Sequence, residues 1–300
     1  MSSLVKRLVY PSLGNDSRLA FLLLFPAVAY LVLVMVLPLS WAVSISFTNK
    51  YVGRPPQFNG LENYIKLMRD PIFFRAIWNT LVFTFFAVGF KVIFGVCVAL
   101  ILNEPIKARN VYRSLLLLPW TLPAVVVIYT WQWMYSDVGG VINDMLKRVG
   151  IIEGAIGWLS QSGPLAMFSV IVVNVWRGTP FICISALAGL QTIPGELYES
   201  ATIDGANSFQ KFFKITLPYI KTVLMLAALV TTIWTLNNFV MIWLLTAGGP
   251  GNATHIIATY SYLVGFTNRL LGQAIAVTVF TMPFIILLVN FITRLALQED

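Results

Sequence analysis

Side chains able to do chemistry are scarce in this 300-residue chain, and their placement limits what that chemistry is. The single histidine, His255, sits in a Gly-rich stretch. One histidine excludes a two-His metal site within the chain. A serine nucleophile would need His255 as its base, and no Gly-x-Ser-x-Gly elbow accompanies it. No Gly-x-x-x-x-Gly-Lys-Ser/Thr loop is present to cradle ATP phosphates. Cys97 and Cys183 both lie in apolar runs and read as small apolar residues rather than a disulfide or metal pair. Two cations, Lys91 and Arg177, interrupt apolar stretches. Arg177 falls in mid-stretch, where an ionisable residue is a functional candidate by default. Lys91 reads as a side chain that snorkels or pairs with carbonyls rather than one that touches a substrate. Three acids, Glu196, Glu199 and Asp204, gather in the most polar segment of the second half.

These residues are set in a chain that is 58% apolar or aromatic and 11% charged. A soluble domain carries about a quarter charged residues. That shortage excludes a soluble enzyme, a nucleic-acid binder and a disordered chain, and leaves a polytopic membrane protein. The net charge of +8 comes from small Lys and Arg groups flanking apolar runs, with no basic stripe or aromatic platform for nucleic acid. Six apolar stretches are long enough to span, at about 19–46, 77–102, 111–135, 164–190, 219–247 and 271–294. Only helices satisfy the backbone inside such stretches, so the expected fold is all-α, one transmembrane domain over residues 1–300. An even count puts both termini on one side. Lys6, Arg7 and Arg18 followed by Ala27-Val28-Ala29 have the look of a cleavable signal, but Tyr30 to Leu39 continues apolar, and an uncleaved span is the reading. The Lys and Arg residues divide almost evenly between the two sides, so charge gives little orientation.

Between the spans, Leu61, Tyr64, Ile65 and Met68 have the spacing of a short interfacial helix. Asp70-Pro71 is a helix start leading into the second span. A helix is expected over 143–149, with Trp158 as an interface anchor. Pro26, Pro38, Pro119, Pro123, Pro180 and Pro283 are expected to break helices inside spans. Every Asp and Glu lies outside the six spans, which argues against a proton relay.

The polar segment 191–218 has its own order. Pro194 opens a helix with Thr192 as cap candidate, and Glu196 and Glu199 sit in the first turns, where the dipole favours acids. Gly205 ends that helix, Ser208 caps a second one through Lys214, and Leu217-Pro218 starts the fifth span. Glu199-Ser200-Ala201, Gly205 and Ile215-Thr216-Leu217-Pro218 match, with Ser200 in place of Ala, the E-A-A-x3-G-x9-I-x-L-P signature. The chain therefore resembles the membrane subunits of binding-protein-dependent ABC importers. The resemblance implies a coupling helix that docks on a separate ATPase, with Glu199, Ser200, Ala201, Asp204, Gly205, Ile215, Leu217 and Pro218 as coupling residues. It implies the type I importer permease fold and places the loop and both termini in the cytoplasm. It also implies that ATP and Mg are bound by the partner ATPase, with no cofactor in this chain.

Further stretches narrow the resemblance to carbohydrate importers. They are Phe58 to Tyr64, Leu118-Pro119-Trp120 with Pro123, Val175 to Phe181, Leu187 to Pro194, and Asn237-Asn238-Phe239 followed by Leu244 to Pro250. The last resembles the larger membrane subunit of the maltose transporter and related trehalose, oligosaccharide and glycerol-phosphate permeases. That subunit's extra N-terminal spans and large inserted periplasmic domain have no counterpart here, so the resemblance does not carry over how the binding protein docks. The resemblance carries a mid-membrane substrate site onto Trp120, Asn174, Arg177, Gly178, Thr231, Thr235 and Asn238. Thr231, Thr235 and Asn238 fall at i, i+4 and i+7 on the fifth span, and sugars want hydroxyl and amide partners plus an aromatic plane. The same Asn and Thr residues also suit interhelical hydrogen bonding. Arg177 suits sugar hydroxyls, an anionic group, or helix-end carbonyls of a partner subunit.

The function implied is the six-span permease subunit of an ATP-driven sugar importer in a bacterial or archaeal inner membrane, not itself an enzyme. Its partners would be a homologous second permease subunit, two ATPase chains, an extracytoplasmic binding protein, the sugar and the lipid bilayer. An importer of another solute such as glycerol phosphate is the alternative within the class. A Na⁺-coupled carrier and an intramembrane enzyme are the rivals outside it.

Overall fold

A computed structural model describes residues 13–161 and 163–297. Lys6 and Arg7 of the basic N-terminal stretch lie outside the described residues. Long helices dominate, and among the described residues the only β pairing is an isolated bridge between Thr48 and Phe58. Five helices are long and apolar enough to cross a membrane, and a sixth span arises if one bent pair is counted together.

The first span is α1 (Leu13–Leu31) and α2 (Leu37–Ser46), joined by a wide π turn at Val32–Val36. Leu37-Pro38 follows that turn. The same pairing recurs at Phe212–Thr216, which is followed by Leu217-Pro218. Proline lacks an N–H and its ring crowds the carbonyl four residues back, so a widened turn is a way to keep the helix running. From residue 19 to 41 this span is largely exposed, and only its end is buried, at Ile45 and Ser46. The short α3 (Glu62–Arg69) buries Asn63 and Leu67 and turns Leu61, Ile65 and Met68 outward. Asn63 fixes it by donating from Nδ2 to the carbonyls of Ser46 and Thr48, both at 2.8 Å.

The second span is α4 (Pro71–Asn103), started by the Asp70 side chain accepting from the Ile72 N–H at 2.8 Å. It begins before position 77 because the Asp-Pro start runs unbroken into the apolar stretch. Its main neighbour is α8 (Pro164–Leu190), the fourth span. Gly95 permits the close approach: a Cβ there would lie 2.6 Å from Cγ2 of Ile182. One buried cluster joins Val96, Ala99, Ile182, Ala186, Leu190 and Ile220 at one end of the bundle. Another joins Phe83, Ile128, Val170, Val173 and Ile242 towards the other.

The third span is not one helix. α5 (Arg109–Thr121) and α6 (Ala124–Met134) meet at 91°. Pro123 forces the preceding Leu122 out of the helical region, to φ −68° and ψ 141°. Among the six prolines expected to break spans, Pro123 alone marks this sharp bend. Pro26, Pro119, Pro180 and Pro283 remain inside helices, and Pro38 follows the wide turn. The fifth span also departs from expectation. α10 (Ser208–Lys211) runs through Phe212–Thr216 into α11 (Leu217–Leu236), which stops at Asn237. The chain then turns into α12 (Phe239–Thr246), which packs on α6. No proline causes this stop. Asn237 ends the helix, with its Nδ2 donating back to the Ile233 carbonyl at 3.0 Å.

The segment between the third and fourth spans folds around Asn143 on α7 (Val141–Arg148). Asn143 Oδ1 accepts from the Ile156 N–H and from Trp158 Nε1. Trp158 is half-buried, held by this bond and packed beside Tyr135. The chain ends in α13 (Ile257–Tyr262), a wide turn at Leu263–Thr267, and α14 (Leu271–Leu297), the sixth span. His255 is buried in the loop before α13, its Nδ1 3.2 Å from Thr259 Oγ1. Cys97 is exposed and Cys183 buried, and both are free.

Candidate functional site

Two groups of the expected residues come together, one inside the bundle and one at its end. The first lines a polar cleft between α4, α5, α8 and α11. Trp120, Asn174, Arg177, Gly178, Thr231, Thr235 and Asn238 all border it. Two helix breaks build it. Trp120 stands just before the Leu122–Pro123 bend, and Asn238 occupies the break after α11. Irregular backbone at membrane depth is tolerated where it is buried in protein or lines a cavity. Because α11 ends at Leu236, Asn238 is not on the helical face of Thr231 and Thr235. It reaches the same cleft from the tight turn between α11 and α12, at φ −80° and ψ 66°.

Lys91 departs from expectation, since it neither snorkels nor pairs with a carbonyl. It is 3% exposed and lines the cleft. Its Nζ donates to Thr235 Oγ1 at 2.9 Å and reaches Thr231 Oγ1 at 3.5 Å. No local pattern around position 91 announces this contact, since its partners lie 140 and 144 residues away. Gly178 also acquires a new meaning. A Cβ on it would lie 2.6 Å from Lys91 Cε, so the missing side chain is what admits the lysine stem. Across the cleft, Asn174 is 4% exposed and its Nδ2 lies 3.6 Å from Met241 Sδ. Asn174 Oδ1 and Arg177 Nε are buried without a hydrogen-bond partner among the described residues. Phe181 and Trp234, with ring centroids 4.9 Å apart, complete an aromatic wall. The arrangement offers an amine, a guanidinium, an amide oxygen and aromatic planes to a polar solute.

The second group forms a hairpin of helices. α9 (Gly195–Ile203) is followed by Gly205 at φ +76° and then by α10. The Gly205 N–H donates to the Thr202 carbonyl at 3.1 Å, and the Ala206 N–H to the Ala201 carbonyl at 2.9 Å. This is the Schellman closure, which needs a left-handed residue at Gly205. The second helix is capped by Asn207 rather than Ser208. Asn207 Oδ1 accepts from the Gln210 N–H at 2.9 Å, and Gln210 Oε1 accepts from the Asn207 N–H at 2.8 Å. Thr192 does not cap the first: its hydroxyl donates to the Gly189 carbonyl, and Pro194 holds the capping position. Two cross-links pin the arms, Tyr198 OH to Thr216 Oγ1 at 2.8 Å and Lys211 Nζ to Thr202 Oγ1 at 2.7 Å.

The signature residues separate by exposure. Glu199, Ser200, Asp204, Gly205 and Pro218 are exposed, and Ala201 is half-buried. Ile215 and Leu217 instead pack with Leu197, Tyr198 and Phe212 against the buried cluster at this end of the bundle. Beside the exposed set stand Ile203, 87% exposed, and Phe209, 72% exposed, which the sequence reading did not select. Apolar residues flanking exposed acids on a rigid turn make a surface suited to another protein.

The model of the binding-protein-dependent transport system inner membrane component family matches residues 91–297. This chain belongs to that family. The match takes in the cleft and the hairpin together. The permease is 35% identical over 271 residues to the trehalose/maltose transport system permease protein MalF of Thermococcus litoralis, covering 89% of this chain and 90% of that one. It is 37% identical over 272 residues to the sulfoquinovosyl glycerol transport system permease protein SmoG of Agrobacterium fabrum, covering 89% and 87%. Among solved structures it is similar to a chain of the bacterial alginate ABC transporter in complex with alginate pentasaccharide-bound periplasmic protein. The TM-score there is 0.80 at 25% identity, covering 95% of this chain and 96% of that one. The permease fold is thus the one expected, all-α, with the third and fifth spans broken.

Proposed function

We propose that this permease carries a sugar through its polar cleft and is driven through its helical hairpin by separate ATPase chains. The observation that carries the reading is the coexistence, in one chain of this family, of a buried cleft at paired helix breaks and a rigid exposed hairpin that is continuous with a cleft-lining helix. α11 carries Thr231 and Thr235 at one end, and its own N-terminal extension forms the second arm of the hairpin. A push on the hairpin therefore acts along the helix that holds part of the cleft. Broken helices around a central site suit alternating access. The sugar assignment is supported by the names of the two relatives, a trehalose/maltose and a sulfoquinovosyl glycerol permease.

In this reading the hairpin and both termini face the cytoplasm, and Glu199 meets a basic residue of the ATPase. Gly205 shapes the turn, and Ile215 and Leu217 anchor the hairpin to the bundle. ATP and Mg belong to the partner chains. A homologous second permease subunit closes the cleft, and an extracytoplasmic binding protein delivers the sugar. Trp120 supplies a stacking plane, and Asn174 and Asn238 supply amides for hydroxyls.

The test is Glu199→Lys in the assembled complex. Labelled-sugar uptake and stimulated ATP hydrolysis should fall to background while assembly persists. Wild-type uptake in that variant would refute the coupling role, and uptake that follows a Na⁺ gradient without ATP would refute the class. Asn238→Ala should lower sugar uptake and leave assembly intact.

A further inference from the structure

Lys91 and Arg177 place two cations in one cleft without an acid to answer them. No Asp or Glu borders the cleft, and none occurs in helices α4, α5, α6, α8, α11 or α12. The ion pairs Lys66–Glu62 and Arg148–Asp144 lie elsewhere. Lys91 is 3% exposed, and its hydrogen-bond partners are the neutral hydroxyls of Thr235 and Thr231, at 2.9 and 3.5 Å. Arg177 keeps its buried Nε without a partner. A buried charge is costly unless it is paired. A neutral sugar would bring only hydroxyls to these groups. A carboxylate or sulfonate would bring the oxygens that a guanidinium and an ammonium bind most strongly. The rest of the cleft keeps its sugar chemistry, with the unpartnered Asn174 Oδ1 as an acceptor for a hydroxyl and Trp120 as a plane.

We propose that the cleft selects an acidic sugar, one whose carboxylate or sulfonate sits between Lys91 and Arg177. The proposal rests on the sugar-importer reading and narrows its substrate class. Lys91 is then a specificity-determining residue, and Gly178 is the position that lets it reach the cleft.

The test uses the complete transporter in nanodiscs, vanadate-trapped with the cleft outward and freed of its binding protein, so that the binding protein's own selection is bypassed. Four radiolabelled probes are titrated at low salt: a uronic-acid disaccharide, its methyl ester, a sulfonated hexose glycoside and the unsulfonated parent. Each acidic probe should bind at least about tenfold more tightly than its neutral counterpart, the scale of one charge-assisted contact. Lys91→Met should erase that preference, so that each acidic probe and its neutral counterpart bind alike, and Lys91→Arg should keep most of it. Assembly of each variant is checked by size-exclusion chromatography, and the arginine variant keeps the test decisive if the methionine variant fails to assemble. Equal or tighter binding of the neutral probes by wild type overturns the acidic-sugar proposal and leaves the sugar reading standing. Binding of glycerol phosphate with none of the four sugars bound overturns both.

Discussion

The hairpin and the cleft solve opposite problems with the same few residue types. In the hairpin, tyrosine and lysine bond to threonines, asparagine bonds to glutamine, and the acids are left exposed. In the cleft, lysine meets threonine, but Asn174 and Arg177 keep buried polar atoms unmet. A fully bonded turn is a stiff lever. A half-bonded cleft holds capacity in reserve for a ligand. The difference predicts that the two regions fail separately: hairpin variants should uncouple ATP from transport with binding intact, and cleft variants should change binding with coupling intact.

The largest effect is expected at Gly205. A Cβ there meets nothing within 4 Å, so the requirement is conformational and not spatial. At φ +76° a side chain costs roughly 1–2 kcal/mol, and a β-branched one is a genuine outlier. Gly205→Val should therefore reduce coupled ATP hydrolysis and uptake by about tenfold or more, the equivalent of 1.4 kcal/mol. Gly205→Asn should retain most of both, because asparagine tolerates the left-handed region. Substrate binding to the trapped complex is the companion measurement. Its loss in Gly205→Val would break the separation of the two regions.

Gly178→Ala probes the cleft from the other side. The added methyl would approach Lys91 Cε to 2.6 Å and Cδ to 2.9 Å, so the flexible stem must shift. Displacing it from Thr235 should weaken substrate binding by several-fold, in keeping with an overpacking cost of about 1 kcal/mol. Coupling per bound substrate, read as the ratio of ATP hydrolysed to sugar imported, should stay at the wild-type value. A changed ratio would mean that the cleft and hairpin are mechanically one unit.

The two regions also differed in how far they could be read from sequence. Spans are written in composition, and the hairpin is written in local spacing, because Glu199, Gly205, Leu217 and Pro218 act within one short stretch. Even there, which residue caps was missed: Asn207 and Ser208 both have capping chemistry, and only the extended backbone at Asn207 decides between them. The cleft residues came together as expected, but their contacts did not follow from periodicity. Treating residues 219–247 as one helix put Asn238 on the threonine face, whereas the helix stops at Leu236 with no proline to signal it. The 91° bend of the third span did carry a signal, Pro123. Lys91 had none. A lysine in an apolar run looks the same whether it snorkels or meets a threonine pair on a helix far along the chain.

A smaller effect is expected at the hairpin caps. Asn207→Ala removes the acceptor for the Gln210 N–H and should cost about 1 kcal/mol of local stability. Amide hydrogen exchange should accelerate in residues 208–216 and not in the helices around the cleft, with uptake reduced no more than a few-fold.

The smallest effect is expected at Tyr198→Phe. The phenol OH lies 2.8 Å from Thr216 Oγ1 and joins the two arms of the hairpin. Thr216 is 4% exposed but also reaches the Lys211 carbonyl at 3.4 Å, so losing the phenol does not strand its hydroxyl. The ring itself stays packed beside Leu197 and Phe212, so little apolar contact is lost. One hydrogen bond of this kind is worth about 1 kcal/mol. Because Lys211 to Thr202 still spans the arms, the hairpin should keep its shape and lose only stiffness. The expected result is a drop in uptake of twofold or less at saturating ATP, with substrate affinity unchanged. The double variant with Lys211→Met removes both cross-links and should lose more uptake than the two single losses combined, as measured by a double-mutant cycle. Simple additivity would show that the arms transmit force independently, and the stiff-lever half of the contrast with the cleft would fail.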